Sequence, residues 1–440
     1  MNYRKSWTIK EKLKKSELLI NIYESIVCFF HRLQKNAVSH LREYSFFDLY
    51  YIKRSAKYRH NLIIDVIPIS FRSFLPKDSS KYNIIENIVP RIVYEPPIWP
   101  EKNGTTHEFL SPGPIYLTEY SNVTVVGGTG LVLTEDNNYA MTDLCEFDDP
   151  EHINWCIGEI RRGNKDKLYI EVSKQIKDLD ICLNLCGVGS NNYYHLTFEI
   201  LSRYAYYKDN MKYGTIPILM DDDAKKHPQF VEMTNCIVGD APIIYISKCQ
   251  RIKCKKLIYP SMNTWMPNSL IGRKDRLSDY IIAESAITNI RKASEKNFLR
   301  PNDKKVFLSR GKSLNKRLQN DEDVAKAFET IGFEIVYTEE MSYKEQVQLF
   351  SSAKCIAGCG GAALTNLVYC SPGTLFILIT SKHSGACLYS TIAHLVKCNV
   401  IQLETDETGN VDAMGNSYVM NMVKCNQFLN ELKTIYENDN

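Results

Sequence analysis

No stretch of this 440-residue chain approaches the ~20 consecutive apolar residues that a membrane-spanning helix requires. The best candidate, Ile26-Val27-Cys28-Phe29-Phe30, is short and has Glu24 and His31 close by. A soluble or peripheral protein is expected. A strong charge of one sign is also missing: 54 Lys and Arg against 51 Asp and Glu leave +3, which gives no electrostatic reason for a nucleic-acid partner. Cys-x-x-Cys pairs are absent, and the Cys182/Cys186 and Cys355/Cys359 spacings have no partnering histidines, so a structural zinc is not expected. The 14 cysteines are scattered, and Cys182, Cys186 and Cys355 sit inside apolar, strand-like runs. With no recognisable secretory signal ahead of them, reduced and buried thiols in a cytoplasmic protein are the expectation. Internal repeats of fixed period and low-complexity tracts are lacking as well.

What is present is ordinary in amount and uneven in distribution. Hydrophobic content of 44% and charged content of 24% belong to a globular protein, and the length suits two or three domains. Residues 1–60 carry thirteen Lys or Arg against five Asp or Glu, so this arm is at +8 and the rest of the chain at −5. Within it Leu18, Ile22, Ile26, Phe29 and Leu33 recur at helical spacing. Such a basic amphipathic helix suits docking on the protein itself, on a second copy in a homo-oligomer, or on an anionic membrane surface.

Beyond the arm the pattern changes twice. Residues 61–165 show short β-like runs (Leu62 to Ile69, Ile115 to Leu117, Val123 to Val126, Leu131 to Leu133) between Pro, Gly and Asn turns, which predicts a β-rich accessory layer. From 166 to 296 and again from 297 to 440, strands alternate with helices, which predicts two α/β units. The Lys-, Asn- and Asp-rich stretch Glu295 to Lys304 reads as the hinge between them. A last helix, Asn426 to Glu437, would cross back onto the first unit.

The second α/β unit is organised around Cys355 to Cys370, which reads as a buried strand, a glycine turn at Gly360-Gly361 and a helix opening near Ala362. Glycine lets backbone N–H groups approach an anion closely, and a helix N-terminus adds its positive dipole end. A phosphate fits such a turn, and so does close strand-to-helix packing with no ligand. Upstream, Val306 to Arg310 is a short apolar strand ending in a hydroxyl, Ser309, and a guanidinium; Arg317 and the helix cap Asn320-Asp321-Glu322-Asp323 follow. Arg310 could grip a diphosphate with a bidentate fork.

These pieces resemble glycosyltransferase family 61. The resemblance covers roughly residues 305–405 and is carried by Ser309-Arg310, Arg317, Asn320, Gln346, Gly361-Ala362-Ala363-Leu364-Thr365-Asn366 and Pro372-Gly373. Two positions depart from the family pattern: Gly360 stands where a His is usual, and Leu378 where a strand Glu is usual. A second matching segment, Asn191-Asn192-Tyr193-Tyr194-His195-Leu196-Thr197-Phe198-Glu199, follows the glycine-containing loop Gly187-Val188-Gly189. His195 and Glu199 are one helical turn apart and share a face, which suits a base and its orienting carboxylate. The alternative for His195 is a hydrogen-bonded core residue.

The resemblance implies two facing Rossmann-like domains of GT-B type and an inverting transfer of sugar from a nucleotide-sugar donor to a glycan or glycoprotein acceptor. It assigns the donor to Ser309, Arg310, Arg317, Asn320, Gln346, Gly360, Gly361, Ala362, Thr365 and Asn366, and catalysis to His195 and Glu199, with no separate cofactor. Bacterial-type relatives lack the amino-terminal membrane anchor common in animal and plant members, and this chain resembles the former. Without side chains at 360 and 378 that can hold phosphate or ribose, donor affinity should be weak and dominated by the diphosphate. Two rival readings are a binding protein that kept the fold without the activity, and a membrane-recruited scaffold. Asp221-Asp222-Asp223 ends another strand and invites comparison with acidic metal motifs, but an acidic strand-end loop is usually only solvated, and no metal is expected there.

Overall fold

The computed structural model describes residues 60–76, 82–101, 103–147, 160–266, 277–310, 317–381, 386–412 and 415–438, together with Lys53, Ala56 and Lys57. The amphipathic helix expected at Leu18 to Leu33 and the contacts expected of the basic arm lie outside these residues. Among the described residues no helix is long and apolar enough to cross a membrane.

The fold is mixed α/β and is built on two large sheets. In the first, β1 (Ile115–Val126), β2 (Ile176–Asn184), β3 (Ile218–Asp221), β4 (Ile243–Ile246) and β5 (Arg251–Pro260) lie in the order β4-β3-β2-β5-β1. β2 is parallel to both β3 and β5, so strands sit here in the order third, second, first, fourth. β5 then pairs antiparallel with β1 from Arg251 opposite Val126 to Pro260 opposite Leu117. Through that pairing the sheet runs on into strands 131–133, 139–142, 61–70, 168–173 and 160–163, making eleven strands with Asn83–Glu86. The region expected as an accessory β layer is therefore continuous with the first α/β unit. Its two expected runs at 115 and 123 are one strand, because Asn122 takes φ 57 in mid-strand and pairing resumes on either side.

The second sheet is parallel throughout, with β6 (Lys305–Leu308), β7 (Glu334–Val336), β8 (Cys355–Cys359), β9 (Leu375–Thr380) and β10 (Asn399–Glu404) in the order β7-β6-β8-β9-β10. Its middle strand β8 is buried along its whole length, and β6 and β9 are buried after their first residues, as strands covered on both faces must be. In both sheets the strand order reverses beside the first strand of the parallel set. Ligands of open α/β sheets bind at such reversals, outside the carboxyl ends of the strands. In the first sheet the reversal lies between β2 and β5; in the second it lies between β6 and β8.

One hydrophobic cluster spans both sheets, joining Leu183, Phe198, Met233 and Ile287 to Val306, Val347, Leu367 and Leu378. Helix α1 (Pro228–Val238) packs on α2 (Tyr343–Ser352), and the Glu232 carboxylate accepts the Tyr343 and Lys344 amides at 2.8 and 3.1 Å. A carboxylate from one half thus completes a helix N-terminus of the other, where its charge also meets the dipole. The stretch expected to be a hinge is held too: Leu299 N donates to Ser351 Oγ at 3.0 Å and Asn302 N to Ser352 O at 2.8 Å. The final helix (Met422–Asn438) does not cross to the first sheet as expected. Phe428, Leu429 and Leu432 bury themselves with Phe328 and Ile377 of the second half, because its apolar stripe fits there.

Candidate functional site

At the second reversal, the loop after β6 carries Arg310 and the loop after β8 is the turn Gly360-Gly361. The Asp321 carboxylate fixes the first loop. Ser309 Oγ donates to its Oδ2 at 2.5 Å and the Arg310 amide to the same oxygen at 3.1 Å. Arg310 Nη1 then reaches the Gly360 carbonyl at 3.4 Å. A Cβ at Gly361 would lie 2.8 Å from Arg310 Nη1, so the glycine lets the guanidinium lie close against the turn. Gly360 is different, because a Cβ there would meet nothing nearer than 3.8 Å, and Arg317 Nη1 would be 3.9 Å away. Two guanidiniums therefore border one turn. The turn opens a 3-10 helix, Ala362–Tyr369, whose N-terminus has no side-chain cap.

At the first reversal, the loop Gly187-Val188-Gly189 leads into residues that wind as a π-helix, His195–Ile200, then as a 3-10 turn, Leu201–Arg203, and an α-helix, Tyr204–Lys208. Single π turns inside helices are rare and often functional. His195 Nδ1 lies 2.7 Å from Glu199 Oε2, with the side chains 28% and 14% exposed. Burial alone would lower the imidazole pKa, but the charge and hydrogen bond of Glu199 outweigh it and hold it above 6.5. Gly189, at φ +81, closes over the ring, where a Cβ would be 2.8 Å from His195 Cδ2.

Two buried tyrosines feel the charges of these clusters. Burial raises the Tyr389 phenol on α3 (Ala386–Leu395), and Arg317 and Arg310 pull it back, so both guanidiniums act on that ring. Burial likewise raises Tyr194 well above its ordinary pKa, and Glu199 and Tyr389 push it further. The Tyr194 hydroxyl is buried without a hydrogen-bond partner among the described residues. The charges of the arginine pair act on Tyr389, and those of Glu199 and Tyr389 on Tyr194, although 111 or more residues of sequence separate the histidine pair from the arginine pair.

Other expected site residues have structural partners instead. Gln346 is buried, donates to the Thr338 and Met341 carbonyls at 3.0 and 3.2 Å, and accepts from Asn366 Nδ2 at 2.7 Å. Asn366 in turn accepts from the Tyr193 hydroxyl at 2.6 Å. These three side chains are a cross-brace between the halves, with no capacity left at Gln346 Nε2 for a base. Asn320 neither caps its helix nor faces the turn: it exchanges hydrogen bonds with the Met420 backbone, both at 2.9 Å. Ser309 is committed to Asp321. Leu378 is completely buried in mid-strand between Gly358 and Gln402, so its side chain serves the core. Ala362 is half-buried at the start of the 3-10 helix, and the Thr365 hydroxyl is buried without a partner. The residues the sequence reading missed, Asp321 as loop anchor, Tyr389 and Tyr418, carry no local signal.

The Asp221-Asp222-Asp223 loop borders a cavity of about 280 Å³ that is also lined by Gly187, Asn191 and Lys248. Its carboxylates have protein partners. Asp221 accepts the Gly128 and Gly187 amides at 2.6 and 3.0 Å, Asp222 accepts Ser247 Oγ at 2.9 Å, and Lys248 Nζ lies 3.0 Å from Asp223. Burial pushes the Asp221 pKa up to about 6 against those two amides. Its role is to tie two glycine loops together. Every cysteine among the described residues is a free thiol, and most are buried.

Paired sheet reversals, one carrying a histidine–carboxylate pair and the other two guanidiniums at a glycine turn, define an α/β protein suited to an anionic ligand. Residues 193–377 match the family model of glycosyltransferase 61, and this segment includes both clusters. Over that segment the chain is similar to the glycosyltransferase 61 family. No curated protein matches it.

Proposed function

We propose that the chain is an inverting transferase of GT-B type that moves a sugar from a nucleotide-sugar to a hydroxyl of a glycan or glycoprotein. The observation that carries this reading is the placement of Arg310 and Arg317 at the Gly360-Gly361 turn of one sheet, with the His195–Glu199 pair at the corresponding reversal of the other. The donor diphosphate lies against the guanidiniums and the uncapped N-terminus at Ala362. The acceptor enters from the side of the Gly187 to Asn191 loop.

Transfer is a single displacement. The acceptor oxygen bonds to the anomeric carbon as the bond from that carbon to the diphosphate oxygen breaks, and the electron pair leaves with the diphosphate. His195 takes the hydroxyl proton on the ring nitrogen that Glu199 does not engage. Glu199 stabilises the imidazolium that forms, while the arginines stabilise the leaving diphosphate. Preorganised charge of this kind needs no metal to balance the leaving group, and the bound histidine loses no time reorienting.

Arg310→Ala tests the reading. Losing one charged hydrogen-bond donor costs about 1.5–3 kcal/mol, so the dissociation constant of a nucleotide-sugar should rise roughly ten- to a hundredfold by calorimetry. Unchanged affinity in a folded variant would overturn the donor site. Binding without turnover across a panel of acceptors would instead favour a binding protein that kept the fold.

A further inference from the structure

Residue 360 has no side chain, and the space a side chain would enter is walled by three groups. A Cβ on Gly360 would lie 3.8 Å from the Tyr418 hydroxyl, 3.8 Å from Thr380 Oγ1 and 3.9 Å from Arg317 Nη1. Two of these walls arrive together. Tyr418 belongs to β12 (Gly415–Val419), which pairs with β11 (Asp406–Asp412) in a hairpin after the second sheet. Its amide donates to the Arg317 carbonyl at 2.9 Å, and Gln319 N donates to the Tyr418 carbonyl at 2.9 Å. The Asn320 side chain clamps Met420 two residues on. Backbone pairing therefore sets the Tyr418 ring and the Arg317 loop in one register.

The ring is completely buried among Cys359, Leu403 and Phe428. Its hydroxyl is buried too, with Thr380 as the hydrogen-bonding neighbour that lowers its pKa, which leaves the hydroxyl's own proton unused among the described residues. Phenylalanine would fill the same space without stranding a polar atom, so the core does not explain a tyrosine. Burial raises the phenol far above its ordinary pKa, with Arg317 and Arg310 opposing, so the hydroxyl keeps its proton and can donate.

We propose that Tyr418 is a donor-site residue, whose hydroxyl donates a hydrogen bond to the diphosphate of the donor in the space that Gly360 leaves open. This rests on the donor site proposed above. The hairpin lies outside residues 193–377, so the contact comes from beyond the segment that matches the family. A tyrosine brought in from a distant strand thereby takes the place of a side chain on the turn itself.

The test is calorimetry with inorganic pyrophosphate and, separately, UDP and GDP, on the full chain and its Tyr418→Phe, Arg310→Ala, Gly360→His and Gly360→His/Tyr418→Phe variants. Tyr418→Phe should weaken binding about tenfold while changing the melting temperature little, because Thr380 is the hydroxyl's one neighbour in the core. Gly360→His should restore affinity in the Phe background and add less to the native protein, since both groups serve one space. Equal affinities for the native protein and Tyr418→Phe, with Arg310→Ala defective, would overturn the assignment and leave the donor site standing. A lowered melting temperature with no affinity change would make the hydroxyl structural. Binding of none of these anions by the native protein would remove the donor site, and this inference with it.

Discussion

Replacing Asn366 by leucine separates a ligand-binding asparagine from a structural one. Asn366 is fully buried, receives the Tyr193 hydroxyl at 2.6 Å and donates to Gln346 Oε1 at 2.7 Å. Leucine keeps the shape and strands two buried polar atoms, the Tyr193 hydroxyl and Gln346 Oε1. At about 1–3 kcal/mol each, Asn366→Leu should destabilise by about 2–6 kcal/mol, a large share of the 5–15 kcal/mol typical of a folded protein. Tyr193→Phe alone strands only the asparagine oxygen and should cost about 1–3 kcal/mol. In the leucine background the same change removes an orphan, so it should be neutral or stabilising. This reversal of sign is the signature of a direct bond. Urea unfolding followed by circular dichroism and by tyrosine fluorescence measures it, and coincident transitions show that the shared core makes the two halves unfold together. If Tyr193→Phe costs the same in both backgrounds, the brace is not an energetic unit. If Asn366→Leu is stable but loses nucleotide affinity, Asn366 is a ligand contact.

Glu199→Gln should move the acidic limb of the pH–rate profile to lower pH and lower the plateau, because the neutral amide no longer holds the His195 pKa above 6.5 and burial then lowers it. The raised pKa also means that protonated His195 stabilises the native fold below about pH 6.5 and that this stability fades as pH rises through the folded value; melting curves of the variant should lack that component. Asp221 behaves in the opposite sense to a salt-bridged carboxylate. With its pKa raised from 3.8 to about 6, the native state binds the proton more tightly, so this group's contribution to stability falls as pH rises across that interval, and Asp221→Asn should flatten the dependence. Gly361→Ala places a Cβ 2.8 Å from Arg310 Nη1. The guanidinium can swing away, so melting should change little, whereas pyrophosphate affinity measured by calorimetry should drop about tenfold; unchanged affinity would show that Arg310 does not work from this position.

The sequence by itself determined the local elements and the chemistry at their ends. Apolar runs such as Val306 to Leu308 and Cys355 to Cys359 are strands because both faces are covered, and a glycine pair after the second can only be a turn. His195 and Glu199, four residues apart, meet on one face even though the helix is wound as a π turn, because local geometry decides that contact. Only the tertiary structure decided what distant residues do. Gln346, Asn366 and Tyr193 brace two halves through hydrogen bonds that span up to 173 positions, and no spacing rule reaches so far. Leu378 proves to be core because its neighbours in the sheet, Gly358 and Gln402, come from other loops and strands. Tyr418 stands beside Gly360 because a hairpin pairs its backbone with residues 317–319. Strand register places side chains at a site without leaving any mark in the residues nearby, so the walls of the turn became visible only once the chain was folded around it.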